Sequence, residues 1–301
     1  MKFLLFGYGS IGRRRAAILR DLGHQVVTVD PYAPDADFAS ALSFGPGFEV
    51  RRPALRYEAD QYDGVLDCTP PSARPCLRFR HPVMFIEKPP GRAAFDLPED
   101  ALVQFGFQYL YDPTLLRFAD ALADAVPVRL ATFGGYDLRL WFPDADYRNL
   151  PAARLPDGGA VNASLPHSLA VADFLVGPLP PVPSYSRVGH VSGLSVPVED
   201  YALVVLDARV PVVAEVDFLR AEPAFRVSVL TARGGELRWQ YARDQSHTDA
   251  VYRRQMEAFV ALAGDPCPAN VGPAGIRRAR RVQAVLDALD PRAGMRVEVS
   301  C

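Results

Sequence analysis

A glycine-rich turn near the start of the chain has the spacing of a phosphate-binding motif. Gly7, Gly9 and Gly12 fit the pattern G-x-G-x-x-G. The first glycine permits a tight turn, the second lets a pyrophosphate approach the backbone, and the third lets a helix pack closely on a strand. Asp30 ends the next apolar segment, where a carboxylate accepts ribose hydroxyl groups. This spacing predicts a dinucleotide site.

Two further polar motifs directly follow apolar segments. D-C-T-P-P occupies residues 67–71 and E-K-P-P occupies residues 87–90. Pro89 restricts Lys88 to an extended backbone, so the lysine side chain is directed by a rigid turn. Lys88 and Lys2 are the two lysines among 33 basic residues. Because this chain otherwise uses arginine, Lys88 is a better candidate for a catalytic group than for a surface ion pair.

The pattern of apolar segments indicates the elements that position these motifs. Strands are predicted at 2–6, 25–29, 64–67, 83–86 and 102–107, with a further candidate at 48–51. A helix is predicted at 11–22, with Gly23 as its C-terminal cap. Alternating strands and helices are typical of a parallel α/β domain, whose strands present ligand sites at their carboxyl ends. We therefore expect the three motifs at one edge of the sheet.

The pattern changes after residue 112, so we predict a first domain at 1–112 and a second at 113–301. In the second, helices are predicted up to about residue 125 and at 158–176, 250–263 and 273–289. Strands are predicted at 128–140, 201–206, 210–219, 225–231 and 236–241, joined by short turns typical of an antiparallel sheet. Residues 201–206 are apolar on both alternating faces, which indicates a sheet covered on both sides.

Composition narrows the range of partners. A net charge of −2 leaves no electrostatic footprint for nucleic acid or an anionic membrane, and no apolar run approaches the length of a membrane span. The cysteines, Cys68, Cys76, Cys267 and Cys301, have neither a C-x-x-C pair nor histidines at metal spacing. We expect a cytoplasmic protein with a small-molecule substrate and no metal.

Taken together, the motifs resemble the Gfo/Idh/MocA family of nicotinamide-dependent oxidoreductases. The resemblance rests on the glycine-rich turn, T-P-P at 69–71, E-K-P at 87–89, G-F-Q-Y-L-Y-D-P at 106–113, and G-G-A at 158–160 with His167 following. It implies a Rossmann domain with a doubly wound parallel sheet, followed by an α+β domain with a large, mostly antiparallel sheet. The last helix is a candidate to pack back on the first domain. NAD(H) as cofactor and a homodimer or homotetramer formed through the second sheet are also implied.

The resemblance also assigns roles to individual residues. Lys88 would exchange a proton with the substrate hydroxyl, and His167 would assist it. Pro166 places His167 in a first helical turn, where the helix dipole favours the neutral ring; the alternative is a core histidine bonded to a carbonyl. The implied cofactor residues are Gly7, Gly9, Ser10, Ile11, Gly12, Asp30, Thr69, Pro70, Glu87 and Lys88. The implied substrate residues are Gln108, Tyr109, Asn162 and His167.

Some positions depart from the family pattern. Ala163 and Ala170 stand where aspartates are common, Gln108 and Leu110 replace an asparagine and an arginine, and Arg74 replaces a histidine. Three functions therefore stay open. The first is an NAD(H)-dependent oxidoreductase acting on a sugar, sugar derivative or nucleotide sugar. The second is a lyase or hydrolase that oxidises its substrate transiently with bound NAD, and the third is an NAD(H)-binding protein without turnover.

Overall fold

The computed structural model describes residues 1–30, 32, 33, 35, 37, 61–76 and 81–289. The chain forms two compact units. Unit 1 contains the described residues of Met1–Gly106 together with Tyr252–Arg277, and unit 2 contains Phe107–Val251 together with residues 278–289. The domain boundary expected at residue 112 remains a prediction.

Unit 1 is built on a sheet of five parallel strands in the order β2-β1-β3-β4-β5. Its elements are β1 (Lys2–Phe6), α1 (Ser10–Asp21), β2 (Gln25–Val29), β3 (Gly64–Asp67), β4 (Val83–Ile86), α2 (Ala93–Asp96) and β5 (Leu102–Phe105). The five strands confirm the predicted parallel α/β pattern, and the candidate strand at 48–51 lies outside the described residues. The strand order reverses between β1 and β3, which is where sheets of this kind bind ligands.

The β1 strand shows why its sequence is apolar throughout. Phe3 and Leu5 pack into one core cluster and Leu4 and Phe6 into another. Successive side chains point to opposite faces of the sheet, so a strand covered on both faces loses the usual polar alternation. α1 ends at Asp21, and Gly23 lies just beyond its C-cap with φ of +83°, which makes glycine the favoured residue there.

Unit 2 contains a six-stranded mixed sheet in the order β11-β10-β6-β9-β8-β7. The elements from Pro113 onward are α3 (Pro113–Ala123), β6 (Pro127–Gly135), α4 (Leu138–Trp141), α5 (Ala160–Ala163), α6 (Leu165–Val176), β7 (Tyr185–Gly189), β8 (Tyr201–Leu206), β9 (Val212–Asp217), β10 (Ala224–Thr231), β11 (Glu236–Gln240), α7 (Gln245–Gly264) and α8 (Ile276–Leu289). β6 and β9 pair in parallel and every other pair in this sheet is antiparallel, which confirms the expected architecture.

Two predicted elements of unit 2 are wrong in extent. The strand expected at 128–140 ends at Gly135, because Asp137 accepts the N–H of Arg139 and starts a short helix. The helix expected at 158–176 is two helices, α5 and α6. Pro166 lacks an N–H and its ring clashes with the carbonyl of the preceding turn, so one helix cannot run through it.

No helix in the described part of the chain is long and apolar enough to cross a bilayer. The same residues contain no group of three or more His, Cys, Asp or Glu side chains that could hold a metal ion.

Candidate functional site

The glycine-rich turn connects β1 to α1 and packs against the residues that follow β3. Gly7 has φ of +84°, and its N–H donates to the carbonyl of Val29 at 3.0 Å. A Cβ on Gly7 would lie 2.7 Å from the carbonyl carbon of Cys68, closer than real Cβ contacts allow. Both conformation and space therefore require glycine here, and the turn is closed against the loop that begins D-C-T-P-P.

Gly12 and Gly9 are required for different reasons. A Cβ on Gly12 would lie 1.9 Å from the carbonyl oxygen of Gly7, so the close packing of turn and helix excludes any other residue. A Cβ on Gly9 would meet no described atom within 4 Å. Gly9 is the N-cap of the twelve-residue α1 and has an ordinary extended backbone, without a side-chain cap. The first N–H groups of the helix, including those of Ser10 and Ile11, lack intrahelical acceptors and suit a phosphate.

Asp30 lies just beyond the end of β2 beside this turn. One carboxylate oxygen accepts the N–H of Tyr8 at 2.7 Å and the other accepts the N–H of Tyr32 at 2.8 Å. The Tyr8 bond links Asp30 directly to the glycine turn. An ionised carboxylate has about four acceptor positions, so each oxygen keeps capacity for a ribose hydroxyl. The geometry thus fits the dinucleotide site predicted from the sequence.

Arg74 links the loops after β3 and β4. Its guanidinium donates to the carbonyl oxygens of Thr69, at 3.0 Å, and Pro89, and it lies 3.7 Å from the carboxylate of Asp67. Asp67 in turn accepts the N–H of Thr69 at 2.9 Å. A buried arginine therefore ties the T-P-P turn to the E-K-P turn. Pro70, also predicted to contact the cofactor, is exposed at the surface of the first turn.

Glu87 is held by a buried ion pair that sequence reasoning missed. Its carboxylate accepts Nε of Arg15 at 2.5 Å, and Arg15 is fully buried. The guanidinium of Arg15 also donates to Oε1 of Gln255 at 3.1 Å and lies 4.2 Å above the ring of Phe85. Gly106 leaves room for Glu87, because a Cβ there would lie 2.3 Å from Oε2. The signal in the sequence is position: the third arginine of the R-R-R run lies on the core-facing stripe of α1.

Lys88 follows Glu87 at the carboxyl end of β4. Its N–H donates to Oε2 of Glu87 at 3.2 Å, and its peptide bond to Pro89 is cis. Burial lowers the pKa of the Lys88 amine, the Glu87 charge raises it, and the Arg74 charge lowers it again, so the pKa lies below its usual value. A lowered pKa makes the neutral amine, a general base, available closer to neutral pH.

Unit 2 brings together two residues predicted to contact substrate. Tyr109 lies in a short 3-10 turn, Gln108–Tyr111, and its ring stacks on Phe225 at 4.4 Å. The same ring meets the edge of His167 at 5.0 Å and of Tyr241 at 4.6 Å. Gln108 and His167 are both buried. This cluster therefore places Tyr109 beside His167, which is the third residue of α6 as expected.

Asn162, also predicted to contact the substrate, is held by a hydrogen bond to the start of the G-G-A motif. Its side-chain amide donates to the carbonyl of Gly158 at 3.2 Å, which closes the G-G-A turn. Gly159 has φ of +99°, and a Cβ on it would lie 1.9 Å from a carboxylate oxygen of Glu199. The G-G-A motif thus has a structural role in seating α5 against Glu199, whose side chain also accepts the N–H of Val161 at 3.1 Å.

A buried Asp–His pair was missed by sequence reasoning. Nε2 of His247 lies 2.8 Å from a carboxylate oxygen of Asp112, which is fully buried. The other oxygen of Asp112 caps α3 by accepting the N–H of Thr114 at 2.7 Å. The sequence signals the cap, because Asp112 precedes Pro113 at a helix start, but nothing in it pairs Asp112 with a histidine 135 residues away.

Comparisons with known proteins support the fold. No protein-family model and no curated protein matches the sequence. Among solved structures, a myo-inositol dehydrogenase from Corynebacterium glutamicum is 18% identical with a TM-score of 0.67, covering 96% of both chains. GenD2 from gentamicin A biosynthesis, solved in complex with NAD, is 16% identical with a TM-score of 0.67, covering 96% of this chain and 93% of that one. UDP-N-acetylglucosamine 3-dehydrogenase GnnA from Acidithiobacillus ferrooxidans is 17% identical with a TM-score of 0.65, covering 96% and 97%. The chain therefore has the fold of these dehydrogenases over nearly its whole length.

Proposed function

We propose that this protein is an NAD(H)-dependent oxidoreductase acting on a sugar, a sugar derivative or a nucleotide sugar. The observation that carries the proposal is the open space at Gly9, beside Asp30 at the switch point of the parallel sheet. Lys88 follows the strand next to β3 and so belongs to the same sheet edge. The fold shared with an inositol dehydrogenase and a nucleotide-sugar dehydrogenase, and with a protein solved with NAD, supports it.

In this proposal the residues of unit 1 hold NAD(H). The N–H groups at the start of α1 would bind the pyrophosphate, and Asp30 would accept the ribose hydroxyls. Thr69, Pro70 and Glu87 belong to the same predicted cofactor surface. When bound, NAD⁺ supplies the hydride acceptor and NADH the hydride donor.

Lys88 carries the proton in this mechanism. During oxidation its neutral amine would take the proton of the substrate hydroxyl. During reduction its ammonium returns that proton to the carbonyl oxygen. Its lowered pKa increases the neutral fraction needed for oxidation. His167, Gln108, Tyr109 and Asn162 are proposed to bind the substrate, with His167 assisting the proton transfer.

Replacing Lys88 tests the mechanism. In Lys88→Met the apolar stem stays and the proton carrier is lost, so turnover with NAD⁺ and a panel of sugars and nucleotide sugars should fall about 10²- to 10⁴-fold. NADH affinity, measured by fluorescence titration, should change little. Lys2→Met, which alters the chain's other lysine, is the matched control and should keep full activity.

The pH profile gives a second measurement. Oxidation requires the neutral amine, so kcat/KM for oxidation should rise with pH through the lowered pKa of Lys88, and reduction should fall over the same range. In Lys88→Met, kcat/KM should no longer change with pH over this range. Near-wild-type turnover in Lys88→Met would refute the mechanism. Substrate conversion without accumulation of NADH would instead indicate the transient-oxidation lyase or hydrolase.

A further inference from the structure

Arg243 lies in an aromatic cluster of unit 2. Its guanidinium carbon is 5.6 Å from the centre of the Trp141 ring, and it follows Tyr241 by two positions in the loop between β11 and α7. Burial raises the pKa of the hydroxyls of Tyr109, Tyr136 and Tyr241, and the Arg243 charge opposes that rise in all three. The guanidinium therefore lies close to three tyrosines.

This cluster is continuous with residues predicted to bind substrate. Tyr109 meets the edge of both Tyr241 and His167, and Tyr136 lies 4.5 Å from Trp141 between ring centres. Arg243 and His167 thus have Tyr109 as a common neighbour, although nothing in the sequence motifs pointed to Arg243.

Arg243 has no anionic partner among the residues that the structure describes. Its Nε is buried and has no hydrogen-bond acceptor there. The Asp112 carboxylate accepts the N–H of Thr114 and contacts His247, and it forms no ion pair with Arg243. Asp244, next in sequence, accepts the hydroxyl of Ser246 at 2.7 Å and the N–H of His247 at 2.8 Å at the start of α7.

Arg243 as a whole residue is partly exposed, and three other buried or partly buried arginines of the described chain each face a carboxylate. Arg15 pairs with Glu87, Arg74 faces Asp67, and Arg278 pairs with Asp173 at 2.8 Å. A buried donor on a charged group is costly to leave without an acceptor. A guanidinium presents a planar fork of donors that matches carboxylate and phosphate oxygens.

We propose that Arg243 binds an anionic group of the substrate, so that the substrate class is an acidic sugar. This inference rests on the proposed function and narrows its substrate. The anion is a carboxylate or a phosphate oxygen group, as carried by a sugar acid or by the diphosphate of a nucleotide sugar. Arg243 acts in substrate recognition and takes no part in the proton or hydride transfer.

Calorimetric titration of the NADH-loaded protein tests this with two matched pairs of probes. D-glucuronate and D-glucose differ only at C6, and UDP and uridine differ only in the diphosphate. We expect the acid of at least one pair to bind about 10- to 100-fold tighter than its neutral partner. A preference within the first pair identifies a sugar carboxylate, and a preference within the second identifies a diphosphate.

Variants of Arg243 test whether this residue causes the preference for the anionic probe. Arg243→Met should abolish it while leaving neutral-sugar and NADH affinity within about threefold, and Arg243→Lys should keep part of it because the charge remains. Arg238→Met, which removes an exposed arginine paired with Glu236 on β11, is the control and should keep it. The inference is overturned if neither acid is preferred, or if both Arg243→Met and Arg243→Lys keep the full preference. Failure of the proposed function has a separate signature, which is the absence of NADH binding in the fluorescence titration that precedes these experiments.

Discussion

At the scale of single residues, the candidate site depends on charges that neighbouring groups hold in place. Asp30 is fixed by the N–H groups of Tyr8 and Tyr32, and Glu87 by the guanidinium of Arg15. Both carboxylates are therefore oriented before any ligand binds. A side chain that is already ordered loses less conformational entropy on binding, so these residues can contribute to affinity and specificity.

Asp30 should set the choice of cofactor. A 2′-phosphate about 4 Å from its carboxylate would be repelled by about 4 kcal/mol at an effective dielectric near 20, so NADH should bind tighter than NADPH. Asp30→Asn keeps an acceptor for the Tyr8 N–H but removes the charge, and should shift the ratio toward NADPH at least about tenfold. Fluorescence titration with both cofactors measures this. Asp21→Asn, at the other end of α1, should leave the ratio unchanged, and tighter NADPH binding by the wild-type protein would contradict the assignment.

Breaking the Arg15–Glu87 pair should strongly destabilise the fold. Arg15→Met leaves Glu87 buried without its partner and should lower the free energy of unfolding by about 3–5 kcal/mol, measured by urea denaturation. Arg14→Met, at the half-exposed neighbouring position, should cost less than about 1 kcal/mol. Adding Glu87→Gln to Arg15→Met should recover part of the loss, because the uncompensated charge is gone. Equal costs for the Arg15 and Arg14 variants would show that the pair is not stabilising.

At the scale of elements, the loops after β1, β3 and β4 form one connected structure at the sheet edge. Gly7 packs against the backbone of Cys68. Arg74 donates to the carbonyl of Thr69 in the loop after β3 and to that of Pro89 in the loop after β4. Lys88 is carried by the last of these loops. The cofactor turn and the proposed proton carrier are thus joined by backbone packing and by one guanidinium, which favours a rigid arrangement.

Two glycines of the turn should respond differently to substitution, because packing requires Gly12 whereas the proposed ligand requires Gly9. Gly12→Ala must displace the Gly7 carbonyl and should destabilise the protein by about 1–3 kcal/mol. Gly9→Ala meets open space and should change stability by less than about 0.5 kcal/mol. It should nevertheless weaken NADH binding by about tenfold or more, because the new methyl group occupies the approach of the pyrophosphate. Thermal unfolding and NADH titration of both variants give the comparison, and unchanged NADH affinity in Gly9→Ala would place the pyrophosphate elsewhere.

At the scale of the whole molecule, the sheet of unit 2 leaves one apolar face incompletely covered. Ala202, Val204 and Leu206 of β8 are fully buried, whereas Leu203 and Val205 on the opposite face are only half-buried. Apolar surface of this kind is typical of contacts between subunits. A homo-oligomer formed through this face, as the family resemblance implies, would complete its burial.

We expect a dimer or tetramer in solution. Val205→Arg places a charge on the half-buried face, beside Val213 and Tyr185 in the strand register, and should shift the protein to monomer at micromolar concentration. Leu116→Arg, at an exposed position of α3, is the control and should leave the assembly intact. Light scattering measures the mass. A wild-type monomer would exclude the interface.

The sequence by itself determined the features that depend on neighbouring residues. The glycine turn, the five parallel strands, the Gly23 cap and the placement of Lys88 after a strand follow from local patterns, because turn conformation and strand burial are set over a few residues. Local patterns gave the wrong extent for the strand predicted at 128–140, where a short helix begins after Asp137. They also gave the wrong extent for the helix predicted at 158–176, which is divided before Pro166. There, a single side-chain cap or a missing N–H outweighed the apolar pattern.

Only the tertiary structure decided which distant residues meet. The Arg15–Glu87 and Asp112–His247 pairs join positions 72 and 135 residues apart, and Arg243 lies near tyrosines from three separate segments of the chain. Such contacts depend on strand order and on helix packing, which sequence spacing does not encode. Burial then determines the chemistry, because a charge removed from water must find a partner in the protein or in a ligand. For Arg15 that partner is Glu87, and for the partly buried Arg243 we propose that it is an anionic group of the substrate.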